Sequence, residues 1–460
     1  MPALIRRNEA GLALRHHALM TTLAWPYHPD LLSAPVPRYT SFPTAAEFTP
    51  DLGATALAEA LDATSGDISL YLHIPYCEQI CWYCGCNTGA ANRSARLTSY
   101  LEALTREIAL VGVRLDGQVR VRRIAFGGGS PNAISPTEFV RLVDSLTLHF
   151  SLADPVFSIE LDPRTMTQDW AHALRAVGVT RASLGVQTFA PRLQAAIGRV
   201  QSDSVIENVT AMLREAGVTS LNYDLMYGLP GQTWSDVEAS LDRTAALGAD
   251  RIALFGYAHV PHLLPRQRRI DATALPGQDQ RFAMAARGYA HLVDAGYRPV
   301  GFDHFALPGD AIAQAALNGR LHRNFQGFTE DTSPVLIGLG ASSISCFPEL
   351  FVQNEKNAGR YRMLLSQERL TGAQGVARDR ADQHLGAIIE AILCQGSAQI
   401  GGELAVLHAA ALAPFVERGL ADLHSGRLTV LPGGLPYARS IAAIFDPYRG
   451  DGGRRFSSAV

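Results

Sequence analysis

The 460-residue sequence lacks several features that would assign a broad class at once. No apolar run approaches the ~18 residues of a membrane-spanning helix, so we expect no membrane span. The 40 Lys and Arg residues nearly balance the 43 Asp and Glu residues, and the formal net charge of −3 gives no basic field for nucleic acid. We find no internal repeat and no low-complexity tract. Nucleic-acid and membrane partners are therefore not expected.

The composition is that of an ordinary globular protein, with 47% apolar and 18% charged residues. At this length two domains are the default expectation. In the N-terminal stretch, residues 15–17 (Arg-His-His) interrupt the only apolar run that could serve as a secretory signal. Cysteine is scarce, with six residues in all, and its use fits a reducing compartment better than a disulfide framework. We therefore expect a cytoplasmic protein.

A regular alternation of strand and helix patterns begins at residue 68. Short apolar, β-branched runs predict strands at 68–74, 122–128, 156–161, 181–187, 220–226 and 251–257. Amphipathic patterns predict helices near 95–113, 136–149, 168–177, 203–216, 234–247 and 279–295. A capping box at 135–138 and glycines after four of the helices support these boundaries. Strand–helix units in series predict an α/β fold, with a parallel sheet curled into a full or partial barrel.

The pattern changes past residue 375. Helices are predicted near 379–394 and 402–418, followed by short strands at 420–423 and 428–431 around a Ser-Gly turn. This order indicates a separate, mainly helical, winged-helix-like domain. A wing can bind DNA, but this segment has no strong basic excess, so we favour packing or substrate cover.

Four of the six cysteines lie within ten residues, at Cys77, Cys81, Cys84 and Cys86. Thiolates this close bind a soft metal centre or exchange disulfides. The first three follow the spacing C-x3-C-x2-C, one ligand short of a closed cubane cluster, so one iron would stay open to a small molecule. Zinc and a redox pair are the alternatives, but structural zinc usually draws its ligands from two separated knuckles. We therefore favour an iron–sulfur cluster.

Polar and glycine-rich motifs follow the predicted strands, at the end where a parallel barrel keeps its active site. The cysteine loop follows the first strand, and 127–131 (GGGSP) follows the second, where glycine permits close approach of a ligand. Taken alone, that motif could be only a tight turn. Later strand ends carry Glu160, Asp162, Gln187, Asp224 and Ala258. Carboxylates there could cap the following helix or accept hydrogen bonds from ribose hydroxyls, and we favour the binding role.

The cysteine loop after the first strand and the glycine motif after the second resemble the radical S-adenosylmethionine (SAM) superfamily. Five further motifs resemble the oxygen-independent coproporphyrinogen III oxidase family, at 37–44 (PRYTSFPT), 84–87 (CGCN), 227–230 (YGLP), 301–306 (GFDHFA) and 322–327 (HRNFQG). The resemblance runs from about residue 35 to about 448, and the segments before Arg38 and at 454–460 depart from the family pattern. It implies a partial (β/α)6-type radical SAM barrel with its extension at 51–375, an N-terminal arm at 1–50 that covers the site, and a C-terminal domain at 376–460.

The resemblance also implies the chemistry. Cys77, Cys81 and Cys84 would hold a 4Fe–4S cluster whose open iron binds SAM, while Cys86 would be a required cysteine that is not a ligand. A 5′-deoxyadenosyl radical would take a β-hydrogen from a propionate of coproporphyrinogen III. Loss of CO2 from the propionates of rings A and B would leave the vinyl groups of protoporphyrinogen IX, a step of haem biosynthesis. A monomer supplied with electrons by a flavodoxin or ferredoxin is implied as well.

Contact residues carry over by the same resemblance, in which two SAM molecules bind side by side. The first would meet Tyr71, Gly128, Glu160 and Ile344, and the second Tyr83, Gly129, Ser130, Gln187, Arg199, Asp224 and Ala258. Our own hypothesis is that Arg38 and Arg323 bind propionates through bidentate hydrogen bonds.

Three alternatives remain open. The first is a related haem chaperone that binds haem without decarboxylation, although such proteins usually lack the CGCN and PRYTS motifs present here. The others are a relative that opens or methylates porphyrin rings and a zinc-stabilised DNA-binding protein.

Overall fold

The computed structural model describes residues 25–91, 94–115 and 117–449. The expectations about 1–24 and about the divergent tail at 454–460 concern residues outside these ranges. None of the helices in the described ranges combines the length and the apolar character needed to cross a bilayer.

The secondary structure alternates as predicted through the first two thirds of the chain. The strands are β1 (Gly66–Ile74), β2 (Tyr76–Cys77), β3 (Gly89–Ala90), β4 (Val119–Gly128), β5 (Leu152–Leu161), β6 (Val179–Gln187), β7 (Ser220–Tyr227), β8 (Arg251–Gly256), β9 (Arg298–Val300), β10 (His304–Ala306), β11 (His322–Asn324), β12 (Gly327–Thr329), β13 (Val335–Leu339), β14 (Ile344–Phe347), β15 (Leu350–Asn354), β16 (Gly372–Ala377), β17 (Ser397–Gln399), β18 (Ala421–His424) and β19 (Arg427–Val430). The α-helices are α1 (Ala54–Asp62), α2 (Ser94–Leu115), α3 (Pro136–His149), α4 (Gln168–Val177), α5 (Pro191–Ala196), α6 (Asp203–Glu215), α7 (Trp234–Ala246), α8 (Gln278–Asp294), α9 (Ala311–Leu317), α10 (Ala358–Ser366), α11 (Arg380–Gln395), α12 (Gly401–Leu407), α13 (Ala409–Glu417) and α14 (Ala438–Ala442).

One large sheet organises the fold, with the strand order β16-β15-β14-β13-β1-β4-β5-β6-β7-β8-β10-β9. Strands β13, β1 and β4 to β8 run parallel. The six predicted strands are therefore confirmed as β1 and β4 to β8, and the parallel α/β prediction is confirmed. The strand order has two ends, so the sheet is the partial form of the predicted barrel within the described ranges.

Helix α3 shows why these segments fold as predicted. Ser135 caps its start, because the Ser135 hydroxyl accepts from the Glu138 amide at 3.2 Å while the Glu138 carboxylate accepts from the Ser135 amide at 2.8 Å. Its buried face includes Phe139, whose ring lies 5.0 Å from that of Phe126 on β4 and 5.1 Å from that of Trp170 on α4. The amphipathic helix is thus held against the sheet by apolar burial.

Antiparallel strands extend the sheet at both edges, and the sequence patterns did not predict them. Strands β14 to β16 continue the sheet beyond β13, and β10 and β9 continue it beyond β8. These strands are three to six residues long. Strands β9 and β10 are joined by a short turn, as are β14 and β15, whereas α10 lies between β15 and β16. Strand β13 is apolar and buried throughout, yet its neighbour is β1, more than 250 residues earlier, which no local pattern indicates.

The C-terminal region matches the prediction with one correction. Helix α11 and strands β18 and β19 are confirmed, and β17 joins them in a three-stranded sheet. The single helix predicted over 402–418 is wrong, because α12 and α13 meet at His408, and Pro414 interrupts the backbone hydrogen bonding of the second. The division of the chain into domains stays a prediction.

A buried ion cluster ties the returning chain to the parallel strands. Glu330, just after β12, accepts from Arg123 of β4 at 2.9 Å and from Arg181 of β6, and lies 3.9 Å from Arg251 of β8. Burial opposes ionisation, but the three guanidinium groups outweigh it and lower the pKa of Glu330 to about 2. Removing this charge would leave Arg181 without a carboxylate partner among the described residues, whereas Arg251 keeps Asp310 at 2.7 Å and Arg123 keeps Asp331 at 3.6 Å.

We predict that Glu330→Gln destabilises the protein most at neutral pH. The lowered pKa means that the carboxylate stabilises the fold above its ordinary pKa of 4.5 and loses this effect as the pH falls toward 2. At pH 7 the free energy of unfolding should fall by on the order of 3 kcal/mol. Urea unfolding at pH 7 and pH 3.5 measures the difference, which should narrow in acid. The exposed Glu417→Gln is the control, and equal effects of the two variants at pH 7 would contradict the prediction.

Candidate active site

The cysteine loop leaves the sheet at the end of β1. Its two ends are held together because β2 and β3 pair in parallel, and its middle is fixed by the Trp82 amide, which donates to the Ile197 carbonyl at 3.0 Å. Cys81 is buried, Cys77 and Cys84 are half-buried, and Cys86 is exposed. The four thiols thus lie at different depths on one loop.

Most of the predicted site residues meet around one cavity of about 210 Å³ at the carboxyl ends of the parallel strands. Its lining includes Cys77, Cys81, Tyr83, Cys84, Cys86, Gly128, Gly129, Ser130, Glu160, Gln187, Arg199 and Asp224. Within the described ranges, no group of three or more His, Cys, Asp or Glu side chains is placed to hold a single metal ion. The cysteines therefore surround a space rather than converge on one point.

The glycine motif lies directly against the cysteine loop. Gly128 has a φ of 113°, and a Cβ there would lie 2.6 Å from the His73 ring. A Cβ on Gly129 would lie 2.4 Å from the Tyr76 carbonyl oxygen. The Ser130 amide donates to that same carbonyl at 2.8 Å, so the two loops are joined through their backbones. Glycine is required at both positions for this close approach.

Two carboxyl groups face the cavity side by side. Burial raises the pKa of Glu160 to about 7, and the negative charge of Asp224 raises it as well. The hydrogen bond that the Gly128 amide donates to Glu160 at 3.3 Å opposes this increase. Burial also raises the pKa of Asp224, although Ser183 and Asn222 donate to it at 3.0 and 2.8 Å. This pair favours a ligand that offers hydroxyl donors or positive charge.

Gln187 ends β6 in a conformation that few side chains adopt. Its φ is 68°, it is buried, and it follows an irregularity in the pairing of β6 with β7 after Gly185. A left-handed residue other than glycine costs roughly 1–2 kcal/mol, which the surrounding structure must offset. The Arg199 Nε donates to the Gly185 carbonyl at 2.8 Å and helps to hold this strand end. Strain of this kind is concentrated at functional sites.

Arg164 is a site residue that the sequence patterns did not single out. Its guanidinium pairs with Asp162 at 2.6 Å and lies 3.5 Å from the Cys81 sulfur. Arg199 reaches the same sulfur at 3.2 Å and the same carboxylate at 3.3 Å. Burial opposes ionisation of Asp162, but the two arginines hold its pKa below the usual range. The only available signal was position, since Arg164 follows the end of β5 in the same way as Asp162.

Three predicted contact residues lie outside the lining of this cavity. The Tyr71 hydroxyl is 3.1 Å from His73 Nδ1, and its ring lies beside the Glu160 carboxyl across Gly127. Ile344 opens β14, and Ala258 lines a second cavity. The assigned SAM contacts of all the predicted residues stay predictions.

The two predicted substrate arginines lie next to each other beyond β8. Arg38 Nη2 donates to the Gly256 carbonyl at 3.4 Å, and its guanidinium lies 5.4 Å from the ring centre of Phe255. Arg323 Nε donates to the carbonyl oxygens of Arg38 and Tyr39, each at 3.2 Å. Their proposed contact with propionates stays a prediction.

Comparison with known proteins decides the family. The model of the radical SAM superfamily matches residues 71–244. The oxygen-independent coproporphyrinogen III oxidase of Bradyrhizobium diazoefficiens is 40% identical over 92% of this chain and 97% of its own length. The chain belongs to the oxygen-independent coproporphyrinogen III oxidase family. The Escherichia coli relative of the same name is 36% identical over 90% of this chain and 93% of its own length. The solved structure of the Escherichia coli coproporphyrinogen III oxidase, described as a radical SAM enzyme, superimposes with a TM-score of 0.87, 33% identity, and coverage of 93% of this chain and 100% of that one.

Members of the coproporphyrinogen III oxidase family in the radical SAM superfamily use a 4Fe–4S cluster and SAM, and the residues of this chain fit both. Three thiols in the C-x3-C-x2-C spacing line the cavity, while the Cys86 amide donates to the Cys84 sulfur at 3.4 Å. The hydrogen bond from the Cys86 thiol lowers the pKa of Cys84 to about 6, and the same contact raises the pKa of Cys86. This contact favours ionisation of Cys84 over that of Cys86. The assignment of Cys77, Cys81 and Cys84 as the cluster ligands stays a prediction.

We predict that Arg164→Gln lowers the reduction potential of the cluster. The guanidinium beside the Cys81 sulfur stabilises the more negative, reduced cluster, so its loss favours the oxidised form. A hydrogen bond to a charged group contributes about 1.5 kcal/mol, which corresponds to roughly 60 mV for one electron. A redox titration followed by electron paramagnetic resonance (EPR) measures the change. Arg175→Gln, on the exposed end of α4, is the control, and an unchanged midpoint at equal iron content would contradict the prediction.

Proposed function

We propose that this chain converts coproporphyrinogen III to protoporphyrinogen IX without oxygen, in haem biosynthesis. Each propionate of rings A and B loses a hydrogen atom from its β-carbon, then CO2 and one electron, and becomes a vinyl group. One observation carries the proposal: the cysteine loop, the glycine motif and the carboxyls of Glu160 and Asp224 surround a single cavity. Relatives named for this reaction cover over nine tenths of the chain.

The residues around the cavity prepare it for radical chemistry. When bound, the cluster and SAM supply a carbon-centred radical that removes a hydrogen atom. Cys77, Cys81 and Cys84 hold the cluster, and the Cys86 thiol donates to Cys84. Trp82 packs against Gly198, whose added Cβ would lie 2.7 Å from the indole, so the loop is seated tightly and excludes water from one side.

We assign the SAM contacts as the family resemblance implies, with two molecules side by side. Tyr71, Gly128, Glu160 and Ile344 would contact the first molecule. The second would contact Tyr83, Gly129, Ser130, Gln187, Arg199, Asp224 and Ala258. The adjacent carboxyls of Glu160 and Asp224 support the assignment, because each can accept a hydrogen bond from a ribose hydroxyl.

The remaining partners are proposed on chemical grounds. Arg38 and Arg323 bind propionates. The substrate carries four carboxylates, and a protein with a net charge of −3 must supply local cations to bind them. A flavodoxin or ferredoxin supplies the electron to a monomer in the cytoplasm, where free thiols persist. We further propose an arm at 1–50, a catalytic barrel at 51–375 and a C-terminal domain at 376–460.

Anaerobic turnover tests the proposal. Incubation of the cluster-loaded protein with coproporphyrinogen III, SAM and a reductant should give the monovinyl and then the divinyl product, detected by mass. This product is expected because three cluster thiols line the same cavity as Glu160 and Asp224, which we assign to SAM binding. Haem binding without any vinyl product would contradict the proposal and favour a haem chaperone.

Substitution of single cysteines separates ligands from the fourth thiol. Cys81→Ser should abolish both the cluster and turnover, because Cys81 is the most deeply buried thiol of the loop. Cys86→Ser should keep the cluster but lose turnover. Iron content and product formation are the measurements, and Cys346→Ala, a thiol outside the loop, is the control. Loss of iron in Cys86→Ser would show that four cysteines are ligands.

A further inference from the structure

Four arginines from distant parts of the chain meet beside the barrel. Arg38 belongs to the N-terminal arm, Arg281 to α8, Arg323 to β11 and Arg439 to α14. Arg38, Arg281 and Arg439 line one cavity of about 60 Å³, and Arg323 adjoins it through its hydrogen bond to the Arg38 carbonyl at 3.2 Å. We call these four residues the arginine cluster.

Carboxylates are scarce in the lining of the cavity beside the arginine cluster, within the part of the chain that the structure describes. Among the described residues that line the cavity, Asp303 is the single carboxylate, and it is engaged with His304 Nδ1 at 2.6 Å. Burial, with repulsion from Arg38, lowers the pKa of Arg439 to about 10. Burial likewise lowers the pKa values of Arg281 and Arg323. The buried guanidinium group of Arg281, beside which no carboxylate of the described residues lies, is costly unless an anion joins it.

Two hydrogen-bond donors of the arginine cluster have no acceptor within the described ranges. Arg281 Nε and Arg323 Nη1 are buried atoms without a hydrogen-bond partner there. The Arg323 guanidinium is fixed in place, with its carbon 5.1 Å from the ring centre of Phe302 and 4.3 Å from that of Phe328. Fixed guanidinium groups with unused donors form a prepared site for carboxylates.

The position of the cluster connects it to the reaction site. Phe255, which lies under Arg38, also lines the interior cavity of the barrel together with Glu160 and Asp224. A ligand seated in that interior could therefore extend side chains to the arginine cluster. A cavity of about 60 Å³ admits carboxylate tails but not a tetrapyrrole ring.

The chemistry decides which carboxylates belong there. A carboxylate that leaves as CO2 gives up its charge, so arginines around it would stabilise the reactant more than the transition state and slow the reaction. Arginine pairing is free of this penalty for carboxylates that survive. In coproporphyrinogen III the surviving propionates, on rings C and D, are neighbours on one edge of the macrocycle. That edge presents two negative charges together.

We propose that the arginine cluster binds the two propionates that are not decarboxylated and so directs the other two toward the cysteine cavity. The inference rests on the proposed function, and it adds Arg281 and Arg439 to the substrate site. It makes the cluster a specificity determinant for retained carboxylates.

Binding of two stable porphyrins to the cluster-loaded protein tests the proposal. Coproporphyrin III carries all four carboxylates, whereas protoporphyrin IX carries only the two that survive. Arg281→Gln should weaken the binding of both porphyrins by a similar factor. Their dissociation constants, measured by fluorescence quenching, should rise roughly tenfold or more. Arg281→Lys keeps the positive charge but loses the paired guanidinium donors, and it should weaken the binding of both porphyrins by a smaller factor. Arg287→Gln, exposed on the same helix over Trp234, is the matched control and should change neither.

Three results would overturn the proposal. If Arg281→Gln weakened the binding of coproporphyrin III but not that of protoporphyrin IX, the reacting propionates would lie at the arginine cluster. Unchanged binding of both porphyrins would show that no carboxylate binds there. Loss of the SAM-induced change in the EPR signal of the reduced cluster, with porphyrin binding intact, would assign Arg281 to SAM. Failure of the proposed function itself is distinguishable, because wild-type protein would then bind both porphyrins and form no vinyl product.

Discussion

The common direction of the parallel strands is the constraint on which the rest of the structure depends. Strands β1 and β4 to β8 all end at one edge of the sheet, so the loops that follow them are brought together although they are far apart in the chain. The backbone contacts between the glycine motif and the start of the cysteine loop, such as that from Ser130 to Tyr76, fix two of these loops against each other. A cavity lined by thiols, amides and carboxyls results.

Local sequence patterns were sufficient for the parts of the fold that repeat. Alternating strand and helix patterns predicted β1 and β4 to β8 because each unit carries its own apolar periodicity and its own helix end. They did not predict β13, which is buried because it pairs with β1 across a long stretch of sequence. They also merged α12 and α13, since a break at His408 leaves the apolar pattern unchanged.

The candidate site was predicted where a motif and its position agreed. Cys77, Cys81 and Cys84 were identifiable by spacing, and Glu160 and Asp224 by their place at strand ends. Arg164 was missed because an arginine two residues after a strand-end aspartate has no distinctive spacing. The sequence patterns did not single out Arg281 and Arg439 for a stronger reason, since only the fold brings α8 and α14 next to Arg38.

In the proposed function, the cysteine cavity and the arginine cluster form two ends of one substrate region, with radical chemistry at one end and recognition of carboxylates at the other. The central claim is that the hydrogen atom is taken from the propionate by the radical derived from SAM. Coproporphyrinogen III deuterated at the β-carbons of the propionates tests this most directly. The account predicts deuterium in the 5′-deoxyadenosine recovered from turnover, and vinyl products accompanied by unlabelled 5′-deoxyadenosine would contradict it.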